Sequence, residues 1–233
     1  MKILFSSILF LVLVIKTYSQ GDFSIHLGSS IPVLDFASDD PNKYSGNYGS
    51  AAVGASIGIQ YLYPLSGNGL GLFGEVDFMY NGIKKSMKND IEQSLEELGM
   101  NNESSKFPKY INIPITAGLN YSKKTDQNIE LFANLGLVFN FLKRTDMEIK
   151  SDDNSTYSQE SDISRNTGLR IGGGAVINDT FIISMSYFGL GKHDVEVKTK
   201  TVGINNIDVA DYNQEATTTI KVDMLTLTLG IIL

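Results

Sequence analysis

The sequence predicts an all-β fold, an eight-stranded antiparallel up-and-down transmembrane β-barrel with one short helix in an extracellular loop. Three observations predict it. Apolar and polar residues alternate with period two in eight segments, where a helix would show a 3.6-residue spacing. The connections between those segments alternate between short turns and long loops rich in Asp, Glu, Lys, Asn and Ser. The faces opposite the apolar stripes carry Gly, Ser, Thr and Asn, not the Lys and Glu usual on a face that meets water.

The N-terminal segment stands apart from this pattern. Lys2 is followed by an apolar stretch from Ile3 to Ile15 broken only by Ser6 and Ser7, too short for the roughly 20 residues that span a bilayer as a helix. With Thr17 and Ser19 as the small residues before a cut, residues 1–19 read as a cleaved secretory signal peptide, leaving 20–233 as the barrel domain. Losing Lys2 and Lys16 takes the net charge of the 233-residue chain from −7 to −9, which excludes the basic footprint of a nucleic-acid-binding protein. The absence of Cys excludes disulfides, thiolate metal sites and cysteine nucleophiles.

The first strand sets Phe23, Ile25, Leu27 and Ile31 against Ser24, His26, Gly28 and Ser30. In the second, Val53, Ala55, Ile57, Ile59, Tyr61 and Tyr63 oppose Gly54, Ser56, Gly58 and Gln60, and a breaker-rich turn from Pro64 to Gly69 follows. The third points Leu72, Val76, Phe78 and Tyr80 outward, with Phe73, Glu75, Asp77 and Asn81 inward. The fourth runs from Tyr110 to Ser122 and opposes Ile111, Ile113, Ile115 and Leu119 to Asn112, Pro114, Thr116 and Asn120. The fifth carries Ile129, Leu131, Ala133, Leu135, Leu137, Phe139 and Phe141 on one face and Glu130, Phe132, Asn134, Gly136 and Asn140 on the other. The sixth places Leu169, Ile171 and Ala175 opposite Arg170, Gly172 and Gly174. A tight turn at Asn178, Asp179 and Thr180 leads to the seventh, with Phe181, Ile183, Met185 and Tyr187 on one face. The eighth carries Leu225, Leu227, Leu229, Ile231 and Leu233.

Alternation alone does not say whether the apolar face meets a core or lipid. The apolar faces here run free of charge over the roughly 9 to 11 residues that a tilted strand needs to cross. Aromatics fall at both ends of the stripes: Phe23, Tyr61, Tyr63, Tyr121 and Phe181 at the short-turn end, and Phe78, Tyr80, Phe139, Phe141 and Tyr187 at the long-loop end. Two interfacial girdles have that placement. Lys221 and Asp223 share the face of Leu225, so the wall is expected to project beyond the hydrocarbon, with an interior that is small and polar.

The stretch Lys109, Tyr110, Ile111, Asn112, Ile113, Pro114, Ile115 resembles the Tyr, apolar, polar, Ile, Pro, apolar signature of the PorT-like outer-membrane β-barrel family of Bacteroidetes. The Gln20–Gly21 start, the Gly28 to Pro32 spacing and the run Tyr187, Phe188, Gly189, Leu190 are similar to it as well. The resemblance implies an architecture and an accessory role in protein secretion, and it carries over no catalytic or binding residue. Outer-membrane barrels often end in an aromatic, where this sequence has Leu233.

The interior charges Glu75, Asp77, Glu130 and Arg170 are the sharpest chemical feature. An eight-stranded barrel is just wide enough for side chains to fill it, so Arg170 is expected to bridge Glu75 or Asp77 in a network that plugs the lumen. His26 is expected in the lumen and His193 in a long loop, too far apart for a metal pair. A membrane-embedded hydrolase would depend on His193, the one imidazole at the loop end. Asp152, Asp153 and Asn154 form an acidic loop able to hold a divalent cation only loosely. Met87, Ile91, Leu95 and Leu98 repeat at helical spacing before Gly99, which predicts a short amphipathic helix that either caps the barrel mouth or presents a surface to a partner.

The expected protein is monomeric, with no cofactor and no enzymatic activity. Its partners would be outer-membrane lipid, the membrane's assembly machinery and a surface or secretion partner at the loops. A soluble lipocalin-like carrier of an apolar ligand is the alternative of a different class.

Overall fold

The computed structural model describes residues 21–39, 49–65, 67–97, 102–126, 128–151, 156–202 and 212–233. The signal segment at 1–19, the acidic run Asp152 to Asn154, and Leu98 lie outside the described residues. Strands β1 (Asp22–Pro32), β2 (Gly54–Pro64), β3 (Leu70–Asn81), β4 (Asn102–Lys106), β5 (Tyr110–Asp126) and β6 (Ile129–Arg144) are followed by β7 (Met147–Ser151) and β8 (Thr156–Ser161). The chain then forms β9 (Ile163–Ile177), β10 (Phe181–Val202) and β11 (Tyr212–Ile232), with helices α1 (Leu34–Ala37) and α2 (Lys85–Glu97) in the first and second long connections.

Eight of these strands close into an antiparallel ring in the order β1, β2, β3, β5, β6, β9, β10, β11, and β11 pairs back onto β1 from Ser24↔Ile232 to Pro32↔Met224. Closure satisfies every edge at that level. The alternation sorts the faces as its period requires: Leu27, Ile57, Leu72, Leu119, Leu135, Leu137, Leu169, Ile183 and Leu229 are exposed on the outside, whereas Ser24, His26, Ser56, Glu75, Asp77, Asn112, Thr116, Asn134 and Arg170 are buried inside. The turn after β9 has both Asn178 and Asp179 at positive φ, 53° and 52°, the backbone of a tight hairpin whose twist matches its strands.

The aromatic ends of the belt are arranged as girdles. Phe23 packs on Tyr61 at a ring-centroid distance of 5.2 Å at the short-turn end, and Phe139 on Phe141 at 5.0 Å at the other. There Arg165 lies over the Phe141 ring and Lys109 over Tyr80, at 5.7 Å and 5.3 Å. Just above, Lys221 is neutralised by Asp223 at 3.4 Å and Asp35 of α1 at 3.5 Å, and the Tyr187 hydroxyl donates to Asp223 at 2.7 Å.

The wall continues well past that level. At about 3.3 Å per residue a strand of 22 residues, the length of β10, is about 70 Å long, roughly twice what a crossing needs. The long connections are also more ordered than polar composition suggests: β8, β7 and β4 add side by side to the upper half of β10 and extend the sheet as a projecting flap. The sixth segment likewise begins at Ile163, not near Leu169.

The interior corrects one expectation. It is polar at the level of the belt but apolar above it, where Met79, Leu142, Phe188, Leu190, Val195, Val222 and Met224 form a sealed core. Beyond the outer apolar belt the wall buries its apolar side chains on the inside, so the projecting part is built like a soluble barrel. Met87 and Ile91 of α2 and Phe107 pack against this core, and Ile91 also packs on Met147 and Ile149 of the flap. Ser86 donates to Asp39 at 2.7 Å, and that hydrogen bond, with Lys84 nearby, holds the Asp39 carboxyl below the usual carboxylate range.

Candidate functional site

The lumen charges sit directly beneath the apolar core. Register sets His26 of β1 beside Gly58 of β2 and Asp77 of β3, and sets Gln60 beside Glu75 two residues further along each strand. All side chains of one such row point inward, because the side-chain period is two. Arg170 reaches across from β9, and its Nη2 lies 3.0 Å from Glu75 Oε2 while its Nη1 donates to Asn134 Oδ1 at 2.9 Å. Its guanidinium is held between Phe73 and Phe188, 5.2 Å and 5.3 Å from the ring centroids, so a plate of the apolar core forms one wall of its site.

Asp77 is engaged differently. Its Oδ1 is 2.8 Å from His26 Nε2, and the same nitrogen is 4.0 Å from Glu75 Oε1. Gln60 Nε2 donates to Glu75 Oε2 at 2.6 Å. Gly58 makes the His26–Asp77 contact possible, since a Cβ there would collide with both Asp77 Oδ1 and His26 Nε2. The arrangement is therefore two linked pairs, Arg170 with Glu75 and His26 with Asp77.

Two placements differ from the sequence reading. Glu130 is not part of the cluster: it pairs in register with Lys124, and Gly136, the partner of Arg170, is six residues further along β6. It lines instead a cavity of about 330 Å³ at the short-turn end, with Gln60, Lys124 and Asp179 among its polar residues and Leu62, Phe132 and Ile232 among its apolar ones. The second difference is His193, which lies in β10 and is fully buried. The register of β10 against β11 shifts between Gly189 and Gly191, so one extra residue switches the parity that faces inward. Val195 and Val197 follow His193 into the interior for the same reason.

His193 Nε2 is 3.1 Å from Asn140 Nδ2, which donates also to Asn112 Oδ1 at 2.9 Å, and His193 Nδ1 is 3.3 Å from Ser164 Oγ. An amide donating to Nε2 leaves the proton on Nδ1. The residue pairs with Ile220, beyond Lys221 and above the apolar belt, and burial pushes its pKa down to about 4. In the unfolded chain an imidazole titrates near 6.5, so between those values only the unfolded chain binds the proton. Stability is accordingly lost as pH falls from about 6.5 to about 4, by up to about 3 kcal/mol, with no contribution from this group above that window. Urea midpoints at pH 7.5 and 4.5 should therefore separate more in the natural chain than in His193→Gln; equal separations would contradict a neutral, buried His193.

A closed eight-stranded ring with a charged and hydrogen-bonded lumen and an apolar outer belt defines the class: a small antiparallel up-and-down β-barrel with its apolar face turned outward. No protein-family model matches the chain, and no curated protein sequence does. Among solved structures it is similar to OprG from Pseudomonas aeruginosa, at 14% identity and a TM-score of 0.48 over 92% of this chain and 97% of that one. It is similar too to a major outer membrane protein from Thermus thermophilus, at 11% identity and a TM-score of 0.48 over 92% and 100% of the two chains. Neisserial surface protein A follows at 14% identity and 0.44, over 91% and 95%.

Proposed function

We propose that the chain is a small, non-enzymatic integral protein of an outer membrane, with periplasmic ends on the short-turn side and a projecting outer sheet that meets surface partners or supports the envelope. The observation that carries the reading is the belt: large aliphatic side chains such as Leu27, Leu135, Leu137 and Leu229 are more than half exposed around the ring, which water disfavours and lipid accepts. An aqueous channel is not supported, because the Arg170–Glu75 layer and the apolar core above it fill the lumen.

The belt also weighs against a soluble carrier of apolar ligands, since such a barrel turns its apolar face inward and its polar face to water. A hydrolase centred on His193 is not supported either, because that ring is sealed from solvent. The PorT-like resemblance keeps an accessory secretion role as a finer possibility. It rests on a motif whose residues have structural work here: Tyr110 donates to Gly49 O at 2.7 Å and packs on Phe36, and Asn112 accepts from Asn140.

The test is gel mobility with and without boiling on detergent-extracted protein, together with protease treatment of intact cells. The folded barrel should run faster unboiled, and cleavage of intact cells should fall in the long connections. Extraction without detergent, or loops cut only after lysis, would overturn the reading.

A further inference from the structure

We propose that His26, Glu75 and Asp77 form a binding site for a single divalent transition-metal cation of the zinc type, in the barrel lumen. One oxygen or nitrogen from each residue lies within 4.8 Å of the others, and all three residues are buried. Around a tetrahedral zinc with bonds of about 2.0 to 2.1 Å, neighbouring ligand atoms lie about 3.3 Å apart. The observed separations from His26 Nε2, 2.8 Å to Asp77 Oδ1 and 4.0 Å to Glu75 Oε1, bracket that value. Side-chain adjustments of under about 1 Å bring the set onto it.

The second observation is an unmatched acceptor. Asp77 Oδ2 is buried with no hydrogen-bond donor, on a carboxylate whose side chain is 3% exposed. A buried carboxylate oxygen without a donor is costly unless a cation meets it. The neighbouring cation does not compete for it: Arg170 engages Glu75 through Oε2, as does Gln60, and this leaves Oε1 on the His26 side. Those two contacts orient Glu75 in the way outer partners orient metal ligands.

Charge and access agree with the geometry. Two adjoining carboxyl groups face one guanidinium, and a bound cation would take the place of the proton that they and the His26 ring share. Gln60 both donates to Glu75 and lines the cavity at the short-turn end, so the cluster lies one side chain from that opening. The site depends on the barrel interior, whichever membrane holds the barrel.

The experiment uses the mature chain folded in detergent micelles, with Zn²⁺ alone as the probe and ring-¹⁵N-labelled histidine as the readout. His193 is the only other imidazole, so His193→Gln leaves one ring to follow. One equivalent of Zn²⁺ should shift the His26 Nε2 resonance, and calorimetry should give a stoichiometry near one. Asp77→Asn, shown to be folded by its unboiled gel mobility, should weaken binding at least tenfold. An unmoved His26 resonance at equimolar Zn²⁺ overturns the site, as does unchanged affinity in folded Asp77→Asn. If Asp77→Asn does not fold, the resonance in folded His193→Gln decides alone.

Discussion

Replacing Arg170 by Ala is expected to destabilise the folded barrel by about 3 to 5 kcal/mol, the cost of removing one partner from a buried ion pair. Three losses combine. Glu75, with 1% of its side chain exposed, would lose its guanidinium partner and be left with only Gln60 and the His26 side to meet it. Asn134 Oδ1 would lose its donor, and the space between Phe73 and Phe188 would become a void beneath the apolar core. The chain has no Trp, so unfolding in urea is followed by far-ultraviolet circular dichroism or by the unboiled gel band. The double variant Arg170→Met, Glu75→Gln separates the pair's worth from the cost of orphaning a charge: it should recover a large part of the loss. A midpoint for Arg170→Ala equal to that of the natural chain would mean the pair does not hold the lumen together.

Leu135→Arg addresses the outside of the wall. Leu135 is 55% exposed and stands at the middle of the outward stripe from Ile129 to Phe141, farthest from either aromatic girdle. In water, exchanging an exposed Leu for Arg changes stability by no more than about 0.5 kcal/mol. At the bilayer midplane the same exchange costs about 2 to 4 kcal/mol, because the guanidinium loses its hydration. The expected result in lipid vesicles is the larger figure, falling toward about 0 to 1 kcal/mol for Ile129→Arg at the short-turn end of the same stripe, where Ile129 is 40% exposed. A flat profile along the stripe would remove the case for lipid contact.

The lumen shows how far spacing alone reaches. That Glu75, Asp77 and Arg170 face inward follows from period two, since an inward face is any residue an even number of steps from another. Which partner each takes does not follow, because it depends on the stagger of β3 against β9 across the ring. Hence Arg170 meets Glu75 while Asp77 meets His26, and Glu130, though inward, sits at another level. The bulge at Gly189 to Gly191 is the clearest limit: Gly marks it in the sequence, but only the pairing with β11 reveals that the parity changes and carries His193 inside.

The sequence by itself determined the number of ring strands, their inward and outward faces and the separation of short turns from long connections, because each is a local consequence of alternation and turn chemistry. The tertiary structure alone decided the rest. It joined β4, β7 and β8 to the edge of β10, filled the projecting half with an apolar core, and paired the buried charges. Those features arise from contacts between strands distant in the chain, whose relative stagger is set by ring closure and by a single bulge and is invisible to any periodicity along one strand.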